Sequence, residues 1–377
     1  MVTEQSRWTQ SAGWKRQTPG RMGAPPQLVL VFGDEAILGD GPPLEDVRRT
    51  YPDARIIGCS TAGEICGTQV SDGALVATAV RFGHARIESA YVPLAGDTGA
   101  AGRALAAAIP HDGLRHVLVL ADGLAGDGTE LAHGLRAGLP ERVSVTGGLA
   151  GDGNRFRRTV VVWDGRPTTG GAGVLGFYGE RLVIGHGCMG GWGAFGPERL
   201  ITRSSGRVLY EVDGQPVLAL YKQYLGEHAG GLPGTGLMFP LVLRTPDGAQ
   251  GVARSVLDID EAEQSVTFAG DMPQGAYARL MMASQERLLE GAAGAARQAL
   301  DGAGARCPDL ALVISCAGRK LVLEKRVEEE VEDVRDALGE RATLAGFYSY
   351  GEIAPVSTGA GLELHNQTMV VTTFGER

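Results

Sequence analysis

Two carboxylates hold matching places in a repeated loop. Glu64 closes Gly58-Cys59-Ser60-Thr61-Ala62-Gly63-Glu64-Ile65, and Glu352 closes Gly346-Phe347-Tyr348-Ser349-Tyr350-Gly351-Glu352-Ile353. Such a pair can work as general acid and base, or can hold a ligand's ammonium group. Each can equally accept backbone N–H bonds from its own glycine turn. Tyr348 and Tyr350 flank Glu352 and offer hydroxyls or an aromatic wall. Cys59 and Cys316 each end an apolar run, and Arg319 follows Cys316 by three residues. A nearby guanidinium lowers a thiol pKa, but no histidine is tied to either cysteine by spacing, and a small buried hydrophobe is the simpler reading. Arg319 also suits a bidentate grip on a carboxylate. His365-Asn366-Gln367 forms a dense polar group before the last apolar run, suited to ligand contacts or to capping the preceding turn.

The elements that must position these residues repeat as well. Apolar runs Leu28–Phe32, Val117–Leu120 and Leu310–Ile314 predict strands buried on both faces. Each leads through a helical stretch to a glycine loop. A looser third loop is Val143-Ser144-Val145-Thr146-Gly147-Gly148-Leu149-Ala150-Gly151-Asp152, one residue shorter. Strands Ala74–Phe82, Gly173–Tyr178 and Gln367–Phe374 follow the loops. The predicted fold is α/β: repeated strand-helix-strand-loop-strand units forming two related halves, with helices packed on mixed sheets. Loops just past strand ends are where such sheets place ligand sites. The clearest predicted helix is Glu324–Leu338, with Val327, Val331, Val334 and Leu338 on one stripe and an acidic remainder, either a partner surface or a solvated face.

Of 377 residues, 44% are hydrophobic and 21% charged, and the net charge is −9. That balance argues against a nucleic-acid binder, which carries a basic stripe. Five cysteines, Cys59, Cys66, Cys188, Cys307 and Cys316, include no CxxC pair. Reduced thiols in a cytoplasmic protein are the simple expectation. No run is long enough to span a membrane, and residues 1–24 lack the apolar segment of a signal peptide; they are expected to be a disordered tail. Gly226–Gly236 marks the expected break between a domain over 25–230 and one over 231–377. Gly171–Gly176 and Gly185–Gly190 both fit GxGxxG, but neither opens a helix, as a dinucleotide site requires. Walker, HExxH and GxSxG motifs are absent.

The stretches GCSTAGEI, VLADGLAGDG, GGLAGDG, the run from Gly185 through Trp192 to Pro197, GRVLYEVDGQP, VTFAGDMPQGA, GFYSYGEIAP and LELHNQT give the chain a resemblance to FIST-domain proteins, over roughly Pro25 to Glu376. The resemblance implies a bacterial sensory protein with FIST N and FIST C halves. It implies a small-molecule ligand, with amino acids proposed, and signalling through a separate protein such as a histidine kinase. It leaves no room for an output domain, so an enzyme is not expected. The expected ligand site lies between the halves. Arg319 takes a carboxylate and Glu352 an amine. Tyr350, Trp192 and Phe195 wall the pocket, and Asn366, His365, Cys316 and Glu64 complete it. No metal or cofactor is expected in this reading. Some relatives bind haem and report nitric oxide, and His186, beside Cys188 and Met189, is the place to look for a haem ligand. Against that, Gly190-Gly191 stands before Trp192 where a second histidine is expected, and no CxxCH site exists. An enzyme using Cys316 or the pair Glu64 and Glu352 is the remaining alternative.

Overall fold

The computed structural model describes residues 1–18, 22–244, 251–355 and 361–377. Three consecutive units share one strand plan. Unit I comprises β1 (Val2–Thr9), β2 (Gly13–Arg16), β3 (Leu28–Gly33), α1 (Glu35–Asp40), α2 (Pro42–Thr50), β4 (Arg55–Ser60), β5 (Glu64–Cys66), β6 (Gln69–Ser71) and β7 (Ala74–Arg81). Unit II comprises β8 (Arg86–Pro93), α3 (Thr98–Ala107), β9 (Leu114–Ala121), α4 (Gly128–Gly138), β10 (Ser144–Leu149), β11 (Val161–Trp163), β12 (Arg166–Thr168) and β13 (Gly171–Tyr178). Unit III opens with β14 (Leu182–Met189). An insertion follows: β15 (Trp192–Ser205), β16 (Val208–Val212), β17 (Gln215–Pro216), α5 (Val217–Leu225), β18 (Leu241–Arg244), β19 (Val252–Arg254), β20 (Val256–Asp260), β21 (Ser265–Phe268) and β22 (Tyr277–Ala283). The unit resumes with α6 (Gln285–Gly302), β23 (Leu310–Cys316), α7 (Ala317–Leu323), α8 (Val327–Leu338), β24 (Thr343–Ser349), β25 (Glu352–Pro355), β26 (Leu362–His365) and β27 (Met369–Glu376).

In every unit the first core strand (β3, β9, β23) pairs in parallel with the second (β4, β10, β24) and antiparallel with the last (β7, β13, β27). The far side of the last strand takes a further antiparallel strand, β1, β8 or β14. The hairpin after the second strand leaves its own sheet. β5–β6 joins β24 of unit III, β11–β12 joins β4 of unit I, and β25–β26 joins β10 of unit II. The exchange is therefore cyclic. Where the units meet, one hydrogen bond recurs at equivalent residues: Ala62 N to Tyr348 O at 2.8 Å, Gly151 N to Ser60 O at 2.9 Å and Tyr350 N to Leu149 O at 3.2 Å. These bonds close a ring around a pseudo-threefold axis.

Residue alternation in the strands explains the layers. Leu28, Leu30 and Phe32, with Leu118 and Leu120 and with Leu310, Leu312 and Ile314, point to one core shared by all three units. Phe32 stacks there on Phe347, with ring centroids 4.7 Å apart. The intervening residues face each unit's own helices: Val29 and Val31 in unit I, Val117 and Val119 in unit II, Ala311 and Val313 in unit III. Equivalent glycines let each parallel pair form. A Cβ on Gly58, Gly147 or Gly346 would sit 1.7, 1.9 or 1.8 Å from the carbonyl oxygen of Val31, Val119 or Val313.

The mixed α/β architecture with helices on mixed sheets is present as the sequence implies. Three expectations need correction. Residues 1–24 are not a disordered tail: β1 pairs along the whole of β7 and with β2, although residues 19–21 lie outside the described residues. β1 is held by backbone pairing and by Gln5, whose Nε2 donates to Thr78 Oγ1 and to Leu344 O of unit III, so it shows little hydrophobic signal. Gly226–Gly236 is not a break between domains. It forms short 3₁₀ turns inside the insertion, whose 8-stranded sheet joins β15 and β16 to β21 and β22 across it. The helix at Glu324–Leu338 is a 3₁₀ turn followed by α8, and Glu330 on its acidic side is buried. Among the described residues, no helix is long and apolar enough to cross a membrane.

Candidate functional site

The three glycine loops converge at the C-terminal ends of the parallel strands, around the ring of hydrogen bonds. Equivalent residues in the ring are Ala62, Gly151 and Tyr350, two small and one large. A cavity of about 450 Å³ opens beside them. Unit I contributes Asp34, the loop Thr61–Glu64 and Asp72; unit II contributes Asp152 to Arg155; unit III contributes Ala317, Lys320 and Glu324 from α7 and its end. Lys320 Nζ donates to Ala62 O and to the carboxylate of Asp72, tying unit III to unit I across the opening. Arg155 pairs with Asp34 at 3.1 Å, tying unit II to unit I. Asp34 also caps α1 by accepting from Ala36 N.

The repeated carboxylates have local partners. Glu64 accepts from Thr61 Oγ1 and from Ala74 N, the first residue of β7. Glu352 accepts from Ser349 Oγ and from Thr368 N and Oγ1, just ahead of β27. Both therefore pin the glycine turn to the start of the last strand. Burial pushes Glu64 up to about 8, against the bonds from Thr61 and Ala74. Burial pushes Glu352 up to about 7 in the same way. Unit II departs from this plan. There Asp122 holds the start of the last strand, through Gly170 N at 2.6 Å. Asp152, one residue early, instead accepts from the backbone N–H groups of Phe156, Arg157 and Arg158 and from the Tyr350 hydroxyl. Burial opposes its charge, but the hydroxyl and the three N–H groups outweigh that and hold its carboxyl below the usual range.

The structure brings Glu64 to the cavity and places Tyr350 beside it, bonded to Asp152. Several other expected site residues are elsewhere. Arg319 is fully buried and cannot meet a ligand carboxylate: Nε and Nη2 donate to Glu330, Nη2 also to Leu288 O, and Nη1 to Gly190 O. Glu330 also accepts from Ser315 and Tyr348, closing a buried polar cluster beneath α7. Glu352 is likewise fully buried and held by its own turn. Cys316 is buried, and burial pushes its thiol well up, with the Glu352 charge adding to the rise. His365 gives Nε2 to Ala354 O at 3.0 Å, and burial lowers its pKa to about 4. Asn366 is buried beside Gly351, with its Oδ1 unpartnered among the described residues. Trp192 donates Nε1 to Gln367 O, bracing the root of the insertion. Phe195 packs against Tyr224 and Phe239 within the insertion, not at the ring.

His186 lines a separate cleft of about 870 Å³ along β14, with Cys188, Met189 and His365. Its apolar lining is limited to Ile184, Met189 and Pro355 beside a run of glycines, and Asp301 is a carboxylate among the lining residues. Among the described residues no lysine or arginine stands there to meet haem propionates, and burial lowers the His186 pKa. These residues do not fit a haem.

Lys320, Arg155, Asp34, Asp72 and Asp152 escaped the sequence reading as site residues. Asp152 carried a signal, since it ends the third loop copy. Lys320 follows Arg319 by one residue, and which of the two faces the opening is set by α7.

No curated protein is similar enough in sequence to count as a relative. Among solved structures, a chorismatase at 10% identity covers 99% of this chain and 98% of its own, with a TM-score of 0.35. A cyanuric acid hydrolase from A. caulinodans at 11% identity covers 78% of this chain and 99% of its own, with a TM-score of 0.20. Likenesses this weak carry no functional argument. The profile of the FIST N domain matches residues 27–215 and that of the FIST C domain residues 218–355, so the chain belongs to the FIST family, whose domains are associated with sensing and signal transduction.

Proposed function

We propose that this protein is a cytoplasmic sensor that binds a small zwitterionic metabolite, an amino acid, in the three-loop cavity and passes its state to a separate protein. One observation carries the reading: a cavity of ligand size holds both signs of charge and is lined from both the FIST N and the FIST C segment. About 300–1,000 Å³ is the usual range for a small-molecule pocket. Lys320 and Arg155 would take the carboxylate; Asp34 and Asp72, their present partners, would take the ammonium group. Binding would then trade contacts between units for contacts with the ligand. A ligand shifts the molecule only by its differential affinity for two arrangements, and those exchangeable ion pairs are what differ here. The cytoplasmic placement is supported by cysteines that are all unbridged. The signalling partner, such as a histidine kinase, rests on family resemblance. Binding without turnover is supported by Cys316, which is buried away from the cavity, and by Glu64 and Glu352, both engaged in their own turns.

The test is a thermal-shift screen of amino acids followed by analysis of the mixture for chemical conversion. At about a hundred times its dissociation constant a ligand adds about 2.7 kcal/mol, a shift of a few degrees for a chain of this length. Lys320→Ala should remove the shift. A shift that survives both Lys320→Ala and Arg155→Ala would place the ligand elsewhere, and product formation would make the protein an enzyme.

A further inference from the structure

Phe156 directly follows Arg155, a residue of the cavity lining, and holds a backbone conformation that is costly for an aromatic residue. Its φ is +50°, a left-handed backbone that a bulky aromatic adopts at a cost and that asparagine or glycine would adopt easily. It is not sheltered either, since 54% of it is exposed. The surrounding loop is nonetheless built to hold it. The Asp152 carboxylate takes the N–H groups of Phe156 and Arg157 at 2.8 Å and of Arg158 at 3.0 Å, and locks the turn. One face of the Phe156 ring lies on Tyr350, with centroids 4.5 Å apart and planes 11° from parallel. Tyr350 is in turn fixed by its hydroxyl on Asp152 and by its backbone in the ring. Strain that the surroundings over-determine is a mark of functional positions. A residue kept only for burial would be buried, and one kept only for the turn would not be aromatic.

We infer that the ligand of the three-loop cavity carries a planar ring, which lies on the open face of Phe156 while its carboxylate meets Arg155 and Lys320. The inference rests on the amino-acid reading above and narrows it to aromatic amino acids. Arg155 immediately precedes Phe156 in the chain and lines the cavity, so carboxylate and ring contacts come from adjacent residues. Tyr350 backs the platform, so that the ligand ring becomes the third layer of a stack.

The experiment is equilibrium binding of phenylalanine, of 3-phenylpropionate and of leucine to the full chain and to Phe156→Leu. Phenylalanine should bind the native protein about three- to tenfold more tightly than leucine, the range of an aromatic pair's contribution. In Phe156→Leu, which keeps apolar bulk without a π face, that preference should vanish while leucine affinity holds. Urea unfolding of the variant separates the alternatives: a stability loss with the ring preference intact would make Phe156 structural and overturn the inference. Equal losses for phenylalanine and leucine would overturn it too. Phenylpropionate binding as tightly as phenylalanine would keep the ring contact and overturn the ammonium contact of the proposed function. Failure of all three to bind the native protein would overturn both readings.

Discussion

The buried charges define the residue scale. Arg319 and Glu330 are each 0% exposed and bonded at 2.8 Å. Removing one partner of such a pair leaves an uncompensated buried charge and costs about 3–5 kcal/mol. Arg319→Ala should therefore lower the urea midpoint strongly, whereas a variant that unfolds at the native midpoint would show the pair to be dispensable. Glu64 makes a prediction about pH. Its folded pKa of about 8 lies above the usual carboxylate value, so the folded state keeps a proton that the unfolded chain has lost. The stability this lends is complete below the unfolded pKa and is lost as pH rises through about 8, at up to about 1.4 kcal/mol per pH unit. Glu352 acts in the same direction up to about 7. Stability should fall between pH 5 and pH 8, and Glu64→Gln should flatten the fall; an unchanged slope would remove Glu64 as a cause. At this scale the sequence was readable for position but not for direction. The spacing of Gly58 to Glu64 and Gly346 to Glu352 revealed two equivalent carboxylates, because glycine turns and their tethers are local. It could not show that Arg319 turns inward, because Glu330, Leu288 and Gly190 come from three distant segments.

At the scale of elements, apolar runs identified the buried strands reliably: β3, β9 and β23 coincide with Leu28–Phe32, Val117–Leu120 and Leu310–Ile314. Strands outside the core left a weaker trace. In β1 only Gln5 is buried, and its role is a pair of side-chain bonds. Hairpin destinations left no trace, since β5 and β25 have the same length and composition whichever sheet they join. The paired glycines supply the prediction here. At Gly346 an added methyl would stand 1.8 Å from Val313 O, against backbone on a buried strand. Overpacking of this kind costs about 1–3 kcal/mol or more. Gly346→Ala should be destabilised by at least that much in chemical denaturation, and Gly67→Ala, where nothing lies within 4 Å but φ is +61°, by less. Equal effects would mean that the close approach is relaxed at little cost.

The whole molecule is organised by the exchange of hairpins. Sheets of units II and III each take a hairpin across the boundary between the family segments: β25–β26 on β10, and β5–β6 on β24. The two segments should not behave as separate folding units. Residues 1–215 and 218–377, produced apart, should be insoluble or lack a cooperative transition, and should regain one when produced together. Two independent, fully cooperative halves would contradict the exchange. The repeat itself was visible in the sequence as three related loops, but the closed ring was not, because a pseudo-axis is a relation among distant segments.

Of the positions occupied by Ala62, Gly151 and Tyr350, only the last carries a large side chain, and it is rooted on Asp152. The three seams thus share one backbone hydrogen bond and differ in the side chains, and in unit II the loop length, built around it. Where the opening lies is therefore set by these local differences rather than by the strand plan that the three units share. Moving the opening to another seam would need both the exchange of small and large residues at these three places and a new set of charges at the rim. A single scaffold of this design can change what it recognises by rotation, without rebuilding any strand.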